Sequence, residues 1–325
     1  MKKALVGVLG WMLLMIVVEP VLAQSSVAPP PTMPPPAMPQ KPLPPEIPKH
    51  SIVFNSLTAG QWNPLGAETR LRVGYRMRLF SSESIVFREN FIRADFETRL
   101  NPAFVRVGGR LSLQLLAPLR LWARYELRGY FGSFKQLQSF PNAAAQFDDD
   151  TLEARSDADL NYTPTGHEVT LGALVRAKVG PIAIVNDLQL YYFDMNLRNG
   201  DTVWYDIGLD NVLPGSGWAL ANYAMALWLS NFGLIAGVRY SIVATFYTDA
   251  QQGGAENLNS PTHRLGPIFG WVFNTKSRWF KKPAVLLHVA WWFNSRFRSG
   301  DPYVSQGVPT GVLIFRFSGD IWTKS

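Results

Sequence analysis

The sequence predicts an all-β chain: a transmembrane antiparallel β-barrel of about 12 to 14 strands, preceded by a signal peptide and a Pro-rich disordered arm. Three observations carry this. Long segments alternate apolar and charged residues with a period of two. Aromatics make up 13% of the chain and charged residues only 17%, where an ordinary soluble domain carries about 25% charged. Proline (24) and glycine (26) are too frequent for a helical protein, yet far below the levels of collagen. Cysteine is absent, which excludes disulfide scaffolds, thiolate metal sites, cysteine nucleophiles and N-terminal lipoprotein acylation.

Residues 1–23 read as a signal peptide. Lys2 and Lys3 form a positive n-region, Ala4 to Val18 an apolar h-region, and Val21, Leu22 and Ala23 a cleavage site before Gln24. The apolar stretch is short and is followed by Glu19 and Pro20, which favours cleavage over retention as an anchor. Residues 24–49 form the second element, a periplasmic linker. Eleven prolines from Pro29 to Pro48 withhold amide donors and fix φ, so the run adopts polyproline II. Its 26 residues reach roughly 80 Å as a semi-rigid spacer at about 3.1 Å per residue. A tether suits this composition; contact with the cell wall or with a periplasmic protein is the alternative.

Residues 50–325 are the barrel. Leu71, Val73, Tyr75, Met77 and Leu79 share one face, and Arg70, Arg72, Gly74, Arg76 and Arg78 the other. Val105, Val107, Leu111 and Leu113 oppose Arg106, Arg110, Ser112 and Gln114, and Leu121, Ala123, Tyr125 and Leu127 oppose Arg120, Trp122, Arg124 and Arg128. A helix would wrap these arginines around every side, so the period excludes it. Strand length then separates a soluble sandwich from a membrane wall. Thr69 to Phe80, Phe104 to Leu116 and Leu119 to Phe131 all reach the roughly 9 to 11 residues that a tilted membrane strand needs. Aromatics near strand ends, among them Tyr130, Phe131, Tyr191 to Phe193, Trp204, Tyr205, Trp218, Trp271, Trp279, Trp291 and Trp292, are expected to form girdles at the two lipid interfaces.

With these features the chain resembles bacterial outer-membrane β-barrels as a broad class, over about Ser51 to Trp322. The resemblance implies insertion into the outer membrane, contact with its lipid, and assembly by the barrel-assembly machinery. The run Gly311 to Phe317 resembles the aromatic-rich last strand of that class, although Ser318 to Ser325 continue past it. Either Phe317 or Trp322 would then close the strand.

Asn211 to Val238 carries no charge and would pass a hydropathy filter for a membrane helix. Turns at Pro214 to Gly217 and Ser230 to Gly233 instead divide it into strands Trp218 to Leu229 and Leu234 to Tyr247. Long loops at Gly132 to Asp150, Thr248 to Pro261 and Arg296 to Pro309 alternate with short links at Ser81 to Ser84, Ala117 to Pro118, Thr163 to Gly166 and Ser230 to Gly233. That parity gives 14 strands if Ser51 to Ala59 is one of them, or 12 if a short hairpin, for example around Gly180 and Pro181, is misread.

Little chemistry appears. His50, His167, His263 and His288 have no metal-ligand spacing and no local serine partner, with His288 and Ser241 the one distant pairing worth noting. Asp148, Asp149, Asp150, Glu153, Asp157 and Asp159 offer hard oxygens for Ca²⁺, but in no calcium-loop spacing, and a solvated outer loop suits them better. No metal, no cofactor and no enzymatic activity is expected. The arginine-rich face is the strongest constellation. Thr69 to Phe131 contains twelve arginines, no lysine and five acids, an excess of seven. Arg70, Arg72, Arg76, Arg78, Arg106, Arg110, Arg120, Arg124 and Arg128 are the expected lumen-facing set. Arginine's planar fork suits either cross-strand carboxylate pairs or a positive wall that attracts anions. Nucleic acid is not an expected partner, because the chain is expected to be exported and these groups to face inward.

Three functions follow from the sequence. A porin-like passive channel favouring anions comes first, a closed structural or tethering barrel with its arm in the periplasm second, and an outer-membrane enzyme last.

Overall fold

The computed structural model describes residues 46–133, 138–198, 200–255, 258–295 and 307–324. The expected signal peptide and all but the last four residues of the expected arm lie outside them. In chain order the strands are β1 (His50–Trp62), β2 (Gly66–Met77), β3 (Phe91–Asn101), β4 (Phe104–Leu116), β5 (Leu119–Tyr130), β6 (Ser139–Phe140), β7 (Thr165–Val179), β8 (Ile182–Met195), β9 (Val203–Asp206), β10 (Asn211–Pro214), β11 (Ser216–Leu229), β12 (Leu234–Phe246), β13 (Thr262–Val272), β14 (Lys281–Asn294) and β15 (Thr310–Lys324).

Twelve of them close into an antiparallel barrel in the order β1-β15-β14-β13-β12-β11-β8-β7-β5-β4-β3-β2. Each wall strand runs 11 to 15 residues, long enough to cross a hydrocarbon layer when tilted. The seam joins first strand to last, from His50 opposite Lys324 to Trp62 opposite Gly311. Closure leaves no unpaired edge, which is the one way a sheet can satisfy its backbone in lipid. β15 therefore ends at neither of the two expected residues: Trp322 pairs with Ile52, and the strand continues to Lys324.

The period-two reading sets the two faces of the wall. Phe96, Leu100, Leu111, Leu121, Leu127 and Leu171 are exposed on the outside, while Glu97, Arg99, Ser112, Trp122, Arg124, Glu126 and Thr170, on the alternate phase, are buried toward the lumen. Exposed tryptophans mark both rims of this apolar belt. Trp62, Trp218 and Trp291 lie toward the end that carries the long connections, and Trp228, Trp271, Trp279 and Trp322 toward the other.

The count of twelve, and not 14, has a clear cause. Gly180 and Pro181 do form a wall turn, between β7 and β8. The short strands that do not belong to the wall are β9 and β10. They pair with β6 in a separate three-stranded sheet, order β10-β9-β6. Thr163 to Gly166 is not a link between strands either; β7 begins within it, at the end of the long 131–164 connection. The connections 131–164, 196–215, 247–261 and 295–309 share one end of the barrel, and the turns at 117–118, 180–181 and 230–233 share the other. Ser81 to Ser84 lies in the longer connection 78–90 at that second end. There Asn90 is fully buried, accepting from the Leu79 and Phe80 amides at 2.9 Å and donating to the Phe80 and Phe87 carbonyls.

The small sheet is the core of a plug. Val203, Trp204, Val212 and Leu213 are fully buried against Phe104, Tyr130, Tyr191, Phe193 and Ala219 of the wall. Each such aliphatic or aromatic side chain removed from water contributes about 1.5–3 kcal/mol. Tyr130, Tyr191, Phe193, Trp204, Tyr205 and Trp292 are consequently interior groups and not girdle residues, a correction to the sequence reading. Alternation accounts for it: Tyr192 and Trp291 face out, while their neighbours Tyr191, Phe193 and Trp292 face in. A helix, α1 (Asp149–Asp157), packs Leu152 and the preceding Phe147 onto this core. Asp148, one of the acids considered for a cation, caps it by accepting from the Thr151 amide at 2.8 Å.

Candidate functional site: the lumen

The interior of the barrel is polar, and the half nearest the long connections is crossed by the β9–β10 hairpin. The hairpin enters between β8 and β11, and at its tip the Ile207 carbonyl accepts from Gln61 Nε2 of β1 at 3.4 Å. In the ring order β1 and β8 are six places apart out of twelve, so the hairpin runs from one wall to the opposite one. Trp204 Nε1 donates to the Pro214 carbonyl, Tyr205 Oη donates to Asp210, and Tyr247 Oη donates to the Val212 carbonyl at 2.5 Å, fixing its shape.

Asp206 is the latch. Its Oδ2 accepts from Arg106 Nη2 at 3.2 Å and from Arg128 Nη1 at 2.8 Å, and its Oδ1 accepts from the Leu209 amide at 2.9 Å. All three side chains are buried. Behind them lies a network that joins β3, β5 and β7. Glu168 of β7 accepts from Arg124 Nη2 at 2.7 Å, from Arg128 Nε at 2.8 Å and from Thr170 Oγ1 at 2.6 Å. Glu126 of β5 sits 3.0 Å from both Arg99 and Arg124, and Glu97 of β3 is 3.2 Å from Arg99. Arginine's fixed fork suits such sharing, because each guanidinium can address two carboxylates at once.

The expected arginine set is therefore divided. Arg106, Arg124 and Arg128 are consumed by the buried network. Arg70 pairs with Glu68 at 3.1 Å, and Arg72 lies 3.8 Å from Asp95. Arg78 belongs to the connection after β2 and binds Glu46, at the rim where the described chain begins. Three remain without a carboxylate within 4 Å among the described residues. Arg76 Nε donates to Ser51 Oγ at 3.0 Å. Arg110 Nε reaches Ser112 Oγ at 3.3 Å, its guanidinium lying 3.9 Å over Trp122. Arg120 Nε donates to Gln114 Oε1 at 2.8 Å, with Phe91 beneath it.

Two acids that settle this division, Glu168 and Asp206, were invisible to a charge count over Thr69 to Phe131. One comes from the next wall strand and the other from a hairpin that folds back inside. The signal that would have found Glu168 is its place on the inward phase of β7.

Beneath the hairpin is a cavity of about 510 Å³. On one side it is lined by Arg70, Arg110 and Trp122, and on the other by Tyr223, Arg239, Arg264 and His288. Sequence reading passed over Arg239 and Arg264 because each is a single charge in an apolar strand. Ser241 and His288 both face this cavity, from β12 and β14, yet β13 stands between them and His288 Nε2 has no hydrogen-bond partner among the described residues. They are not coupled as nucleophile and base.

No family model matches the chain, and no curated protein matches its sequence. Among solved structures it is similar to OccK5 (OpdH) of Pseudomonas aeruginosa, with TM-score 0.27 and 10% identity over 85% of this chain and 99% of that one. It is also similar to the translocator domain of the autotransporter NalP from Neisseria meningitidis, with TM-score 0.37 and 9% identity over 83% of this chain and 87% of that one. LpxR from Salmonella typhimurium aligns at TM-score 0.35 and 10% identity over 82% of this chain and 99% of that one. Twelve long antiparallel strands closed on themselves, apolar outside and polar inside, are the architecture of the bacterial outer-membrane β-barrels.

Proposed function

We propose that the chain is a porin-like passive channel of the outer membrane whose lumen favours anions. The cavity beneath the hairpin is the observation that carries the reading. It is lined by guanidinium groups, and Arg110 on one side and Arg239 and Arg264 on the other have no carboxylate within 4 Å among the described residues. An unpaired guanidinium is tolerable only where water reaches it, since burying an isolated charge is very costly. A wet, positive interior concentrates anions and repels cations, with the effect fading as salt shortens the screening length below about 10 Å.

In this reading the apolar belt meets outer-membrane lipid, the long connections face outward and the residue 24–49 arm hangs in the periplasm. Assembly through β15 by the barrel-assembly machinery, and contact of the arm with the cell wall or a periplasmic protein, belong to the same proposal. A second reading has its own support. The crossing hairpin and the buried ion-pair network favour a closed, structural or tethering barrel. Reversal potentials across a salt gradient separate the two, using refolded wild type and the Arg110→Gln, Arg120→Gln double variant. Anion preference in wild type, weakened in the variant, is the expected result. Cation preference, or no conductance in well-inserted protein, would sink the channel in favour of the closed barrel.

A further inference from the structure

The β11–β14 wall meets its cations differently from the buried network around Arg99, Arg106, Arg124 and Arg128. Where the chain buries Arg99, Arg106, Arg124 and Arg128 it supplies Glu97, Glu126, Glu168 and Asp206 to meet them. Around Arg239 and Arg264 it supplies aromatic faces. The Arg239 guanidinium lies 4.6 Å over the Tyr223 ring, and that of Arg264 lies 5.7 Å from the Trp292 ring. Stacking holds the plane of a guanidinium while leaving its edge donors free.

Register brings these groups to one spot. Arg239 is directly opposite Gly266, and Arg264 is two residues along the same strand. On the next strand His288 is opposite Ile268, on the other side of Gly266. Gly266 packs against the backbone of Val289 and Ala290 so closely that no side chain fits there, and Ala290 is fully buried. Two guanidinium groups and an imidazole thus line the cavity from three successive strands around the position of Gly266. His288 is 5% exposed, and its Nε2 has no hydrogen-bond partner among the described residues. A buried polar nitrogen without a partner is costly, and a ligand that accepts from it removes that cost. Asp187 of β8 lines the same cavity, but its carboxylate accepts from Gln189 Nε2 at 2.7 Å and makes no ion pair within 4 Å with either arginine.

We propose that Arg239, Arg264 and His288 form a binding seat for a tetrahedral oxyanion, inorganic phosphate or a small phosphate monoester. Three donors on three successive strands do not lie in one plane, which suits an acceptor with oxygens in three dimensions better than a flat carboxylate. Two fixed positive charges match the roughly 1.5 to 2 negative charges that a phosphate group carries at pH 7. The sheet walls the seat off from lipid, so the occupant is a solute and not a headgroup. The inference rests on the wet lumen of the channel reading but does not need conduction, only access.

The test is equilibrium binding of inorganic phosphate, and separately of glycerol phosphate, to the refolded full-length protein in detergent. Folding of each variant is checked by its heat-dependent migration in SDS. Saturable binding by wild type is expected, weakened about tenfold or more in Arg239→Gln and in Arg264→Gln, the scale of one lost charge-assisted hydrogen bond. Arg264→Lys should retain more affinity than Arg264→Gln. Arg278→Gln, which removes an exposed charge from the 273–280 connection, should bind as wild type does. Absence of saturable binding of either phosphate to wild type would overturn the seat. So would equal loss in Arg278→Gln, or undiminished binding in both glutamine variants. Because binding is read without a membrane, a barrel that conducts nothing yet binds phosphate retains the seat and loses only the channel.

Discussion

Replacing Asp206 by asparagine should release the crossing hairpin while leaving the wall intact. The carboxylate satisfies two guanidinium groups and one backbone amide, at 3.2, 2.8 and 2.9 Å. Asparagine keeps the shape but presents an amide donor toward donors. Arg128 still has Glu168, whereas Arg106 has no other carboxylate within 4 Å among the described residues. Removing one partner of a buried ion pair costs about 3–5 kcal/mol, most of it from the charge left behind. None of the wall ladder depends on Asp206, so this cost falls on local opening of the hairpin. At 1.4 kcal/mol per tenfold, about 3 kcal/mol raises the open population at least a hundredfold. Hydrogen exchange followed by mass spectrometry reads this directly. Peptides covering 203–214 should exchange about a hundredfold faster, while β4 and β5 keep their protection. Unchanged exchange in the hairpin would refute the latch, and equal loss of protection in the wall would show that Asp206 supports the barrel as a whole.

Three further outcomes are expected. Leu111→Arg places a charge on the outer face, where Leu111 is 60% exposed; it should cost roughly 2–4 kcal/mol in urea unfolding from bilayers, while Ser112→Ala on the lumen face, losing only the contact from Arg110, should be mild. Gly172→Val should displace Trp122, whose ring atoms lie 1.9 Å from where a Cβ would be, with a loss of about 1–3 kcal/mol and a red-shifted tryptophan emission; an unshifted spectrum would mean that the ring does not pack there. Deleting residues 318–325 removes the half of the seam that joins Ser318–Lys324 to His50–Asn55, and should abolish SDS-resistant migration; a truncated chain that still migrates as a folded barrel would mean that closure ends at Phe317.

The wall was legible in the sequence because a strand's side chains alternate by steric necessity. Arg70 against Leu71, or Arg110 against Leu111, states locally which face meets lipid and which meets the lumen, without reference to any distant residue. The chain breaks at Ala117, Pro118, Gly180, Pro181 and Ser230 to Gly233 were legible for the same reason. What local pattern cannot carry is which sheet a short strand joins. Val203–Asp206 and Asn211–Pro214 are four-residue strands whose local sequence does not say which sheet they join, and burial of Trp204 and Leu213 against Phe104, Tyr130 and Phe193 decided for the plug. The fate of the arginine face was equally a matter of closure. Arg128 meets Glu168 across 40 positions of sequence, and Arg106 meets Asp206 across 100. On the far wall, Arg239, Arg264 and His288 converge only because three strands stand side by side. Facing is a property of neighbouring residues, whereas neutralisation depends on what the closed ring and its inward hairpin bring within about 4 Å, a distance that sequence separation does not encode.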